Sequence, residues 1–189
     1  MKQKELNFLK EVVHARLDME LKGASANIPV FMNGEKDHSA LERFIHENKL
    51  SNPEIITMLL ALAPHLSPDF FNAIIFEYLP NGGDFPLFGG VKGKNHRGIL
   101  PTGETVLFVL AGSNIEKRST LLRLFAEDHL FARKGVLYLE DMPVGEPRLS
   151  GRLIMEHEFV DLFTTESISK PKLSSDFPAQ LIETDLKWG

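Results

Sequence analysis

SNPEIITMLLALAPHLSPDFFNAIIFEY, residues 51–78, carries the clearest local instructions in this chain. Ser51 followed by Glu54 is a capping box, in which the hydroxyl accepts from an amide of the first turn and the carboxylate answers the cap's own amide. Pro53 falls in that first turn, where a missing N–H is tolerated. The run IITMLLALA (55–63) is apolar nearly all round, which predicts a helix surrounded by protein rather than lying on its surface. Pro64 predicts its end. Ser67-Pro68 then predicts a second helix, whose Phe70, Phe71, Ile74, Ile75 and Tyr78 supply a broad apolar face.

Before this stretch, Leu6, Leu9, Val13, Leu17 and Leu21 recur every three or four positions, which predicts a helix over 4–22 with one buried face, ended by Gly23. Residues 24–37 read as a surface loop, and 39–48 as a short helix with Leu41, Phe44 and Ile45 inward. After it, PNGGDFPLFGGVKGKNHRGILP (80–101) is the largest irregular segment, of a length that is usually functional or unstructured. Thr102 and Asn114 then read as caps of two helices, the first closed by Gly112 and the second running through 125. VLYLE (136–140) and RLIM (152–155), joined by a Pro- and Gly-bearing connection, predict a β-hairpin. A last helix covers about 156–164, presenting Phe159, Val160, Leu162 and Phe163. Helix, helix, strand, loop, strand is the order of a winged-helix unit, with the hairpin as its wing. The expected fold is therefore mainly α (α+β): one helical domain over 1–165 containing a winged-helix unit and a small antiparallel hairpin. Residues 166–189, aperiodic and containing Ser, Pro and Lys, read as a linker.

Composition narrows the function classes. Among 189 residues there are 14 Phe against 2 Tyr and 1 Trp, so aromatic volume is mostly of the kind that needs no buried hydrogen-bond partner. The absence of Cys excludes disulfides, thiol nucleophiles and cysteine zinc sites, and is simplest to reconcile with a reducing compartment. The charged N-terminus lacks the apolar block of a signal peptide, and no apolar run approaches the ~20 residues of a membrane span, so a soluble, cytoplasmic protein is expected. A net charge of −5 argues against broad affinity for nucleic-acid backbones.

Each chemical motif meets a plainer account. Gly93-Lys94 is the nearest approach to a P-loop ending, but Phe88 stands where the first glycine belongs and Asn95 where a hydroxyl must hold magnesium. His157, Glu158 and Asp161 resemble a zinc helix without its second histidine, and read better as a solvated face. Glu127, Asp128 and His129 put two carboxylates beside an imidazole, yet consecutive side chains diverge, and helix-end capping is the better reading. No Gly-x-Ser-x-Gly elbow is present. The serious competitor is DNA binding: Lys117, Arg118 and Arg123 on the second helix of the unit, Lys92, Lys94, His96 and Arg97 before it, and Arg148 and Arg152 on the wing are able to form one basic surface. Glu116, Glu127 and Asp128 interleave with them, and winged helices also serve as protein-docking modules.

The segments LLALAPHLSPDFF, RGILPTGETVLFVLAG, EKRSTLLRLFAEDHLFARKGVLYLE and GEPRLSGRLIMEHEFVDLFTT, followed by SSDFPAQLIETDLKWG, resemble the N-terminal region of a group of bacterial AAA-family ATPases of the Bacteroidetes type. The resemblance implies a helical, winged-helix-like domain ahead of a motor, with a DLKW-like phrase just upstream of it. It implies a parent that hydrolyses ATP with magnesium as a ring and remodels or loads another macromolecule, in some members beside phage-tail-like contractile assemblies. No Walker lysine, Walker carboxylate or arginine finger has a matching position, so the chain itself is expected to be non-catalytic and to hold neither cofactor nor metal. Its expected role is to recruit or regulate a client or assembly protein for the ATPase domain in cis. The expected contact surfaces are the 80–101 loop, with exposed Phe85, Leu87, Phe88, Lys92, Lys94 and Arg97, and the wing tip at 143–147, with Lys117, Arg118, Arg123 and Arg148 on the basic side. A DNA-binding winged helix is the first alternative, and an enzyme using the glycine-rich loop the second.

Overall fold

A computed structural model describes residues 3–32, 39–82 and 85–166. The expected linker at 167–189, with its DLKW phrase, lies outside the described residues. Helix α1 (Gln3–Lys22) is followed by α2 (Ala40–Glu47), α3 (Asn52–Leu66) and α4 (Phe70–Tyr78). A two-stranded ribbon, β1 (Val91–Lys92) and β2 (Ile99–Leu100), leads to α5 (Gly103–Ala111) and α6 (Ile115–Leu121). A 3-10 turn (Leu122–Phe125) and the one-turn helix α7 (Leu130–Arg133) then precede the hairpin of β3 (Leu137–Leu139) and β4 (Leu153–Met155), and α8 (His157–Thr165) closes the described chain. The fold is mainly helical with a small antiparallel hairpin, as the sequence predicts, and has a second strand pair, β1 with β2, inside the segment expected to be irregular.

Helix α3 is the axis around which the rest assembles. Every residue from 55 to 64 is buried, and α1, α5, α8 and β4 all pack on it. Its N-terminus carries the predicted capping box, with Ser51 N donating to Glu54 Oε2 at 2.7 Å. Its other end corrects the sequence reading: Pro64 lies inside the helix, which continues to Leu66. A proline this near the C-terminus removes one amide donor while the next turn still closes, Ser67 N donating to Ala63 O at 2.9 Å. Among the described residues no single helix is long and apolar enough to cross a membrane; α3 and α4 pass by length and composition only as a pair, which is bent by 104°.

Helix α1 lies with Leu9, Val12, Val13 and Leu17 against this core, while Leu21, expected inward, is 43% exposed. Arg16 on α1 locks it to α5. The last carbonyls of a helix have no partner of their own and carry partial negative charge. Arg16 Nε donates to Val109 O and its Nη2 to Leu110 O, both at 3.0 Å, while Nη1 meets Glu20 Oε1 at 3.3 Å. Burial pulls the Arg16 guanidinium below its ordinary pKa, against the opposing pull of Glu20. Gly112, the C-cap of α5, sits at φ 58°, and a Cβ there would come 1.8 Å from Glu20 Oε1. The left-handed conformation favours glycine there, and any side chain would have to displace the ends of Glu20 and Arg16.

In the C-terminal half the order is α5, α6, the 3-10 turn, α7 and then the hairpin, so a further short helix stands between the two helices and the strands of the expected winged-helix unit. Helices α5 and α6 precede the hairpin, with the register Leu137↔Met155, Tyr138↔Ile154 and Leu139↔Leu153. The chain just after β2 contributes a bridging residue, Thr102, antiparallel to Arg152, and Leu153 N donates to Pro101 O at 2.8 Å. The hairpin is thus tied to the ribbon that precedes α5.

Candidate functional site

The glycine-rich segment is not a free loop. Phe85 and Phe88 turn inward and join Phe71 of α4 and Phe108 of α5, with ring centroids 5.7–6.2 Å apart. Phe88 is 0% exposed and belongs to the core. This corrects the expectation that Phe88 is a contact residue, and Phe85 is only half-exposed. The reason is tertiary: Pro and Gly around the two rings read locally as loop, but the rings fill the gap between α4 and α5. Leu87, between them, does face solvent.

Gly89 and Gly90 carry the chain out of this turn at φ 69° and 86°, a left-handed conformation that glycine adopts without strain. Neither has room for a side chain, since a Cβ on Gly89 would sit 2.8 Å from Glu104 Cβ and one on Gly90 2.6 Å from Ile99 Cγ2. Gly90 N donates to Thr102 Oγ1 at 3.2 Å, and the same hydroxyl accepts from Thr105 N at 3.3 Å as the N-cap of α5. Thr102 and Thr105 are both buried. The ribbon leaves this anchor, pairs Val91 with Leu100 and Lys92 with Ile99, and is fastened to α4 where Ile99 N donates to Asn72 Oδ1 at 2.8 Å.

Between α4, the 85–90 turn and β1 lies an open cleft of about 760 Å³. Ile75, Phe76 and Leu79 line it on one side and Phe85 and Val91 on the other, and Thr102 and Glu104 also belong to its lining. Phe76 is 63% exposed on its rim. Lys92 and Glu104 are the charged residues of the lining, and the Glu104 carboxylate is engaged by Arg118 Nη2, whose Nη1 donates to Gly112 O at 3.1 Å. On the far side of Glu104 a shallower depression of about 390 Å³ is lined by Pro86, Leu87, Ile115 and Arg118.

The remaining sequence-predicted residues are scattered around this centre. Lys92, Lys94 and Arg97 are exposed on the ribbon. Lys117 and Arg123 are exposed on α6 and the turn after it, and α6 buries none of its residues, with Ile115 80% exposed. Arg148 is turned inward at its tip, Nη2 donating to Phe125 O at 3.0 Å. Arg152 makes two bonds with Glu140, at 2.7 and 2.6 Å, which hold the carboxyl below and the guanidinium above their ordinary pKa values. The single basic surface envisaged from the sequence is therefore partly consumed by internal bonds. The hairpin connection at 143–147 is exposed, but its base folds over α5, Gly103 N donating to Gly151 O at 3.2 Å.

The weaker motifs have structural occupations. Gly93-Lys94 lies at the turn of the ribbon and is followed by a strand rather than a helix, so no helix N-terminus meets a phosphate there. His129 caps α7 through Nδ1, which accepts from Phe131 N, and its Nε2 lies 3.2 Å from Glu54. Among the described residues no group of three His, Asp or Glu side chains is placed to hold a metal ion. Sequence reasoning missed the cleft itself. Its signal was the Phe85–Phe88 spacing ahead of a glycine pair, the mark of a turn pinned by aromatic rings.

No family model, curated protein or solved structure matches the chain.

Proposed function

We propose that this chain is a non-catalytic recruitment or regulatory domain, acting in the cytoplasm, that presents the cleft beside its glycine ribbon to a client protein on behalf of an ATPase motor in cis. The observation that carries the reading is the cleft: a preformed apolar concavity with an exposed aromatic rim, held open by a turn anchored in the core. Preformed concave sites lined by apolar side chains with a few polar groups are the usual form of binding sites, and rigidity lowers the ordering cost of association. The motor, with its ATP and magnesium, enters only through the family resemblance, and none of the described residues is assigned to it. Contact with duplex DNA through α6 is less well supported, because Arg118, Arg148 and Arg152 are bonded internally and the helix exposes Ile115.

The test is affinity capture from extract of the source cells with the wild-type chain and with Phe76→Glu, a change at a position already exposed. Capture of a discrete protein by the wild type, abolished in the variant, is the expected result. Capture indifferent to the substitution, or ATP hydrolysis by the isolated chain, contradicts the reading.

A further inference from the structure

The ribbon beside the cleft has a charge opposite to that of the chain that carries it. The whole protein has 26 acidic against 21 basic residues, yet residues 85–103 contain no Asp or Glu and include Lys92, Lys94 and Arg97. All three are exposed, and among the described residues none takes part in an ion pair. Elsewhere Lys4 meets Glu42, Lys10 meets Glu77 and Lys22 meets Asp18, while other exposed cations such as Lys49, Lys117 and Lys134 lie apart from the cleft; what sets the ribbon aside is three cations on one short acid-free segment. Lys92 belongs at once to the ribbon and to the lining of the cleft, so an apolar hollow and an unanswered positive edge are continuous. On its outer side β1 has no neighbouring strand among the described residues.

From this juxtaposition we infer that the cleft takes an extended acidic peptide segment of the client, with an apolar side chain seated between Phe76, Leu79 and Val91 and flanking carboxylates on Lys92, Lys94 and Arg97. The inference deepens the recruitment reading and rests on it. Extended segments dock along open strand edges with alternate side chains in pockets, and complementary charge sets orientation and association rate. A nucleic-acid strand fits the ribbon's charge but leaves unfilled the apolar hollow formed by Ile75, Phe76, Leu79 and Val91.

The experiment pans a random twelve-residue peptide-display library on the full chain and measures the enriched peptides, fluorescently labelled, by anisotropy against three proteins: wild type, K92E/K94E/R97E and F76E. Both variants change only exposed positions, and unchanged thermal melting checks that they fold. The expected peptides combine Asp or Glu with Leu, Ile, Phe or Trp. Their affinity falls roughly tenfold or more in each variant and weakens as salt rises. Enriched peptides without acidic bias, or a change below about twofold in the charge-reversed protein, overturn the inference. Peptides that bind but ignore both variants overturn it while leaving the recruitment reading intact. No enrichment also overturns it, and ribbon-dependent binding of a twenty-base-pair DNA duplex in its place overturns both.

Discussion

Phe88 and Leu87 are neighbours with opposite fates. Phe88 is enclosed by Phe71, Phe85 and Phe108, so Phe88→Ala leaves a cavity and is expected to cost about 3–5 kcal/mol, seen as a fall in melting temperature on the order of 10 °C. Leu87→Ala, at an exposed position, is expected to stay within about 0.5 kcal/mol of wild type. Equal effects of the two changes contradict the inward turn. Tyr78 supplies a second test. Its hydroxyl donates to Asp18 Oδ1 at 3.0 Å and lies 2.9 Å from His14 Nδ1, joining α4 to α1. Burial, then the bond to Asp18, push the phenol up to about 12 from an ordinary value near 10. Because the folded-state value is the higher one, this contribution to stability is complete below about pH 10 and is lost as pH rises through about 12. Melting measured across that range should show the alkaline decline in wild type and a shallower one in Tyr78→Phe.

Helix ends were the most legible elements. Ser51 with Glu54, Thr102 and Asn114 announced three N-termini by side-chain chemistry that acts within three residues, and all three caps are present. Pro64 misled because the same local rule ignores position: a proline in the final turn shortens the hydrogen-bond ladder without stopping the helix. The ribbon was illegible for a different reason. It is two residue pairs long, and what holds it, Asn72 and the Thr102 hydroxyl, lies on other elements. Local composition could show glycine and cations at 80–101 but not which side chains face a core built elsewhere. The junction of α1 with α5 is likewise a tertiary matter. Arg16→Leu strands the carbonyls of Val109 and Leu110 and leaves Glu20 without its ion-pair partner, and is expected to cost about 3–5 kcal/mol by denaturant unfolding. Indifference to that substitution would show that α5 is held by apolar packing alone.

The chain builds its interior around α3, and among the described residues α6, which buries nothing, and the cleft between α4 and the ribbon both face outward. They give the two functional readings different addresses. In a groove-reading winged helix the second helix and the wing are the contact; in a domain that recruits through its cleft the contact is the concavity ahead of α5. A photoreactive benzoylphenylalanine separates them when placed singly at position 76 on the cleft rim, 117 on α6 and 144 in the hairpin connection of the chain expressed in its source cells. Recruitment through the cleft predicts a covalent adduct with one protein from position 76, diminished by charge reversal at Lys92, Lys94 and Arg97. Adducts from 117 or 144 alone, or adducts with nucleic acid, would contradict it.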